Sequence, residues 1–74
     1  MNLNMRLART KKNLSQAKLA DLVGVSRQTI LLIEKESFNP SLQLCVSIAK
    51  ALDSTLDELF WDSKKIKHEV NPHD

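Results

Sequence analysis

The sequence predicts an all-α fold of five short helices in a single domain. Three observations carry that expectation. Gly24 is the only glycine in 74 residues, and no Asn-Gly or Asp-Gly pair offers a hairpin turn. Apolar residues recur three and four apart, the spacing of one helix face, and do not alternate as a half-buried strand would. Serines and threonines stand just before these periodic runs, where a hydroxyl can accept from an orphan first-turn amide.

The first helix is expected from about Asn4 to Lys12, with Leu3, Leu7 and Ala8 on one face and Arg6, Arg9, Lys11 and Lys12 around them. Asn13 ends it. Ser15 caps a second helix that turns Leu19, Ala20 and Val23 inward. Its capping-box position holds Lys18 where an acid is usual, so only half of that cap is available. Gly24 can end the helix in the left-handed conformation. Ser26 then caps a third helix opening at Arg27 and ending near Glu36 or Ser37. Only a tight turn around Gly24 and Val25 separates these two helices. Phe38 is expected in the core from its loop. Pro40 and Ser41 start a fourth helix, in which Leu42, Cys45, Ile48, Ala49 and Leu52 keep helical spacing. "DST" interrupts it, and Ser54 or Thr55 caps a short fifth helix, "TLDELF", with Asp57 and Glu58 where the macrodipole favours acids. The expected core is Leu7, Leu19, Val23, Val25, Ile30, Ile33, Phe38, Leu42, Ile48, Leu52, Leu56 and Leu59.

A chain of this length buries a modest core, and self-association would help it. The single cysteine, Cys45, excludes an intrachain disulfide and favours a reducing compartment, the cytoplasm. Its apolar surroundings suit a small buried hydrophobe. No run approaches the roughly 18 apolar residues of a membrane helix. "MNLNMRLARTKK" lacks the apolar stretch of a signal peptide. Charge is unevenly placed. Residues 1–40 hold seven Lys or Arg against three Asp or Glu, whereas residues 41–62 hold one Lys against four acids. A basic front half suits a polyanion. No Cys–His pair in context, glycine-rich phosphate loop or paired carboxylates suggest an enzyme. No cofactor is expected. His68, Glu69, His73 and Asp74 do not have metal-site spacing.

The stretch "LSQAKLADLVGVSRQTILLIEKESFNPSLQLCVSIAKALDSTLDELF" resembles the Cro/C1-type (XRE-like) helix-turn-helix regulators, most of all the short dimeric repressors. "LSQ", "VGVSRQTI", "NPSL" and "LDELF" are weak one by one and specific in this order and spacing. The resemblance implies a lambda-repressor-like domain over residues 1–62 and a homodimer on a pseudo-palindromic operator in double-stranded DNA. Each third helix would enter a major groove, with half-sites about 34 Å apart. It places Arg27 and Gln28 at base edges, where Arg reads guanine and Gln reads adenine. It places Gln16, Ser26, Thr29, Lys35, Ser37 and Asn39 at the DNA backbone. It makes Arg9 and Glu34 a structural pair that orients the third helix.

The sequence departs from this family where it matters most. Ile30, Leu31, Leu32 and Ile33 are four apolar residues in a row. At about 100° per residue they point all the way round the helix. Ile30 and Ile33 face inward. Leu32 falls beside Gln28, and Leu31 beside Arg27, each pair four residues apart. Both leucines are therefore expected on or beside the DNA-facing surface. They can meet a thymine methyl, stiffen the Arg27 and Gln28 stems, or form an apolar patch for another protein. Glu36 stands where glycine is usual, and so does Asp53 after the fourth helix.

Leu59, Phe60 and Trp61 form an apolar cluster after the acidic stretch and suit a dimer interface. Residues 63–74 form a basic tail, or a strand in which "KKIKHEV" pairs with "MNLNM". The leading expectation is a sequence-specific transcriptional regulator, most simply a repressor that occupies its operator. The alternative is a protein-interaction or antitoxin-like module using an exposed Leu31/Leu32 surface.

Overall fold

A computed structural model describes residues 2–60 as five helices, α1 (Leu3–Lys11), α2 (Gln16–Val23), α3 (Arg27–Glu34), α4 (Leu42–Ala51) and α5 (Leu56–Phe60). Each begins at a polar cap. The side-chain oxygens of Asn2, Ser15, Ser26 and Ser41 accept from the amides of Met5, Lys18, Thr29 and Leu44 at 3.0–3.1 Å. At α5 the box is complete. Thr55 N–H donates to Glu58 Oε1 at 2.9 Å, and Glu58 N–H donates back to Thr55 Oγ1 at 3.1 Å.

The first four helices also end alike. Asn13, Gly24, Glu36 and Asp53 all have positive φ, at 59°, 78°, 63° and 55°. Beyond each, the next amide turns back to a carbonyl of the last turn. Leu14 N–H reaches Arg9 O at 3.1 Å, Val25 reaches Ala20 at 3.0 Å, Ser37 reaches Leu32 at 2.9 Å, and Ser54 reaches Ala49 at 2.9 Å. This left-handed closure satisfies carbonyls that the helix leaves open. Glycine adopts it freely, whereas a side chain with a Cβ is strained there. Only one of the four ends has the glycine.

Met5, Leu19, Ile30 and Ile48 are fully enclosed at the centre, with Ala20, Ile33, Ala49, Leu52 and Leu59 completing the core. Val23, Val25 and Leu56 are half-buried against it. α2 packs on α3 and α4, and α1 packs on α5 and α3.

Three expected core residues lie outside it. Leu7 is 61% exposed and Leu3 58%, while Met5 takes the inward place on α1. α1 is turned so that Met5, Ala8 and Arg9 share its inner face, because Arg9 must reach Glu34. Leu42 is 71% exposed. The buried residues of α4, Ile48 and Ala49, lie in its C-terminal half, and Leu42 at the other end passes beyond them. Phe38 sits in the connection from α3 to α4 and is 45% exposed, as segments outside the packed helices usually are. α3 ends at Glu34, slightly earlier than the sequence suggested. No strand occurs among the described residues, and Leu3–Met5 are helical, so "MNLNM" is not a strand partner. The tail over 63–74 and Trp61 fall outside the described residues.

Candidate nucleic-acid interface

The interface is built on α3, whose two faces have different chemistry. Its inner face holds Ile30, Ile33 and Glu34. Glu34 is the only charged residue among the buried ones described, at 3% exposure. A carboxylate in that position must be paired, since burying it alone is costly. It is paired three times. Arg9 donates through Nε to Oε2 at 2.7 Å and through Nη2 to Oε1 at 3.3 Å. Gln16 Nε2 donates to Oε1 at 3.1 Å. Arg9 Nη1 also donates to Leu14 O at 2.8 Å. One buried carboxylate thus joins α3 to α1 and to the first residue of α2.

The outer face begins with Arg27 and Gln28, both exposed. Arg27 Nη1 donates to Gln16 Oε1 at 3.3 Å. Ser26 Oγ accepts the Thr29 amide at 3.1 Å and lies 3.0 Å from Thr29 Oγ1. These two hydroxyls are therefore partly committed to the cap. Lys35, Ser37 and Asn39 are exposed along the connection after α3. Arg6, Ser15, Gln16, Leu31 and Lys35, with Arg9 and Glu34, line a shallow depression of about 450 Å³. Arg6 is thereby a functional candidate, which its sequence position among the charges of the first helix does not by itself reveal. Its spacing from Arg9, three residues on the same helix, is the signal that could have found it.

Leu31 and Leu32 are half-buried. Among the described residues, the large apolar side chains that stand exposed are instead Leu3, Leu7, Leu22, Phe38 and Leu42. The open leucine surface that a protein-interaction module would use on α3 is therefore reduced. Of the three residues assigned to a dimer interface, Leu59 is enclosed in its own protomer's core and Phe60 is half-buried. Lys12 Nζ turns toward Asp53 Oδ2, at 3.8 Å, in a solvated pair of little energetic weight. Cys45 is half-buried, and that burial raises its thiol pKa, which makes it a poor nucleophile.

A buried tether behind an exposed Arg-Gln pair, on the second of two helices joined by a glycine turn, is the architecture of a DNA reader. The sequence profile of the helix-turn-helix family matches residues 5–59. The chain belongs to the Cro/C1-type helix-turn-helix family. It is similar to an uncharacterized HTH-type transcriptional regulator of Archaeoglobus fulgidus, with 40% identity over 60 residues, 81% of this chain and 86% of the relative. It is 36% identical over 56 residues to the control protein C.SmaI of Serratia marcescens, covering 76% of this chain and 67% of that one. The crystal structure of the restriction-modification controller protein C.AhdI of Aeromonas hydrophila superposes with a TM-score of 0.74 at 39% identity, covering 80% of this chain and 89% of that one. The family is one of DNA-binding transcriptional regulators and not of enzymes. No helix among the described residues is long and apolar enough to cross a membrane.

Proposed function

We propose that the protein is a cytoplasmic repressor that binds a pseudo-palindromic operator as a homodimer, with α3 of each protomer in a major groove. The observation that carries this reading is the presentation of α3. Arg27 and Gln28 stand exposed at its start while Ile30, Ile33 and Glu34 fasten its other side. Arg27 then reads guanine and Gln28 reads adenine. Leu32, four residues after Gln28, meets a thymine methyl, with Leu31 packed beside the Arg27 stem. Gln16, Ser26, Thr29, Lys35, Ser37 and Asn39 serve the phosphates, and these contacts set register without reading sequence. Arg6 and Lys35 line one depression beside Gln16 and extend that basic surface. Of the dimer-interface residues expected from the sequence, Leu59 is committed to its own core, and Phe60, with Trp61 next in sequence, supplies the dimer contact.

The test joins a footprint over genomic DNA to a sedimentation measurement. The expected result is a dimer protecting two half-sites about 34 Å apart, with affinity that falls steeply as salt rises. A monomer at micromolar concentration that leaves no footprint defeats the reading.

A further inference from the structure

We infer that Asn2 couples the dimer contact at the end of α5 to the setting of the recognition helix, so that pairing of two protomers strengthens the grip of each α3 on its half-site. The inference rests on the dimer and the DNA-reading role proposed above.

A helix leaves its last carbonyls without partners inside the helix. At the end of α3, the carbonyls of Leu31, Leu32 and Ile33 are taken by the amides of Lys35, Ser37 and Glu36, from the chain that follows directly. The carbonyl of Glu34 is taken from elsewhere, by the Asn2 N–H at 2.7 Å. The Asn2 side chain has two further partners. Its Oδ1 accepts the Met5 amide at 3.0 Å, and its Nδ2 donates to Leu59 O at 2.7 Å. Asn2 thus holds together the start of α1 and the ends of α3 and α5.

The chemistry of the residue matches that place. Two helix ends offer carbonyls and one offers an amide, and asparagine carries donors and an acceptor on one short side chain. Aspartate and serine also cap a helix start well. Ionised aspartate has no donor, and the serine hydroxyl ends one bond short of the position of Nδ2.

The two helix ends joined in this way serve the two functions of the molecule. Glu34 is buried and fastens α3 on its inner side. Leu59 is buried and lies directly before Phe60. α5 has five residues, too few to hold a helix alone in water. A partner protomer against Phe60 fixes that helix end, hence Leu59 O, hence Asn2, and hence the end of α3. Partner and operator then favour the same closed arrangement. The coupling is reciprocal, so an occupied α3 tightens the dimer by the same factor.

A duplex carrying a single half-site separates this coupling from the gain that any dimer has on a double site. The half-site comes from a random-sequence duplex pool enriched by wild type. Sedimentation gives the dimer dissociation constant without duplex and at saturating duplex, for wild type, Asn2→Asp and Asn2→Ser. Repulsion between two bound duplexes is common to all three. Relative to either variant, duplex should tighten the wild-type dimer about fivefold or more, as site-to-site couplings commonly do. A residue that only stabilised the fold would lower Tm and leave this ratio unchanged. Hydrogen exchange on wild type alone is the second measurement. Dimer formation without DNA should slow exchange at the Asn2 and Met5 amides.

An equal response to duplex in wild type and variants overturns the inference. So do Asn2 and Met5 amides that exchange equally in monomer and dimer. In either case a wild-type dimer that binds its half-site leaves the operator reading standing. A wild type that stays monomeric, or that enriches no sequence, overturns both.

Discussion

The two faces of α3 divide the labour of the domain. The inner face, Ile30, Ile33 and Glu34, is buried, and its side chains touch other helices. The outer start, Arg27 and Gln28, is exposed. Leu31 and Leu32 lie between these extremes, half-buried. An eight-residue helix is marginal in water on its own. Its angle and rotation therefore come from what the inner face holds. Changes on one face should move stability, and changes on the other should move base preference.

The largest expected effect is on the inner side. Ile30 is completely enclosed, so Ile30→Ala should cost roughly 2–5 kcal/mol. In a domain of this size that lowers Tm by more than about 10 °C. Thermal unfolding followed by circular dichroism measures it, and the protein that remains folded should keep its base preferences. An unchanged Tm would mean that Ile30 is not the anchor. On the outer side, Gln28→Ala should leave Tm within about 2 °C of wild type, since exposed substitutions away from special features move stability little. It should reduce discrimination at one A·T pair by about 1–3 kcal/mol in competition binding. A large stability loss with discrimination preserved would reverse the assignment of faces. The smallest effect is expected at the turn that introduces α3. A Cβ added at Gly24 meets nothing within 4 Å, so Gly24→Ala is opposed only by its φ of 78°. The cost should be about 1 kcal/mol. A much larger loss in denaturant unfolding would show that the turn does more than close α2.

The inner face was largely legible in the sequence. Ile30 and Ile33 follow from spacing, and Ser26 announces the start of the helix with local chemistry. Gly24 marks the end of α2 for the same reason. Glu36 is marked only by the family resemblance, which has glycine there, and it takes the same left-handed conformation with an ordinary side chain. It holds that φ because the chain must turn there toward α4, and the strain is carried by the rest of the fold. The first helix was legible as a helix and misleading as a face. Leu3, Met5 and Leu7 are all apolar, and sequence spacing favours the leucines. What selects Met5 is a pairing across 25 residues, Arg9 with Glu34, whose geometry no single-helix pattern contains. The exposed positions of Phe38 and Leu42 were hidden for a related reason. Apolar character says what can be buried, and only the arrangement of helices says what is covered. In the reading surface, the residue types Arg27, Gln28 and Gln16 were visible in the sequence. The hydrogen bonds that string them together were not.

Asn2 closes the molecule on itself. Its main-chain N–H donates to Glu34 O at 2.7 Å, its side-chain oxygen caps α1, and its Nδ2 donates to Leu59 O at 2.7 Å. The last bond spans 57 residues and makes the described fold a nearly closed ring. Such a clasp closes the longest loop among the described residues and tends to form after the local helices. The hydrogen bonds of that clasp are then the natural place for the ring to open first. Because it bonds directly to Glu34, an opening at the rim of the ring would be felt at the residue that holds the recognition helix in place.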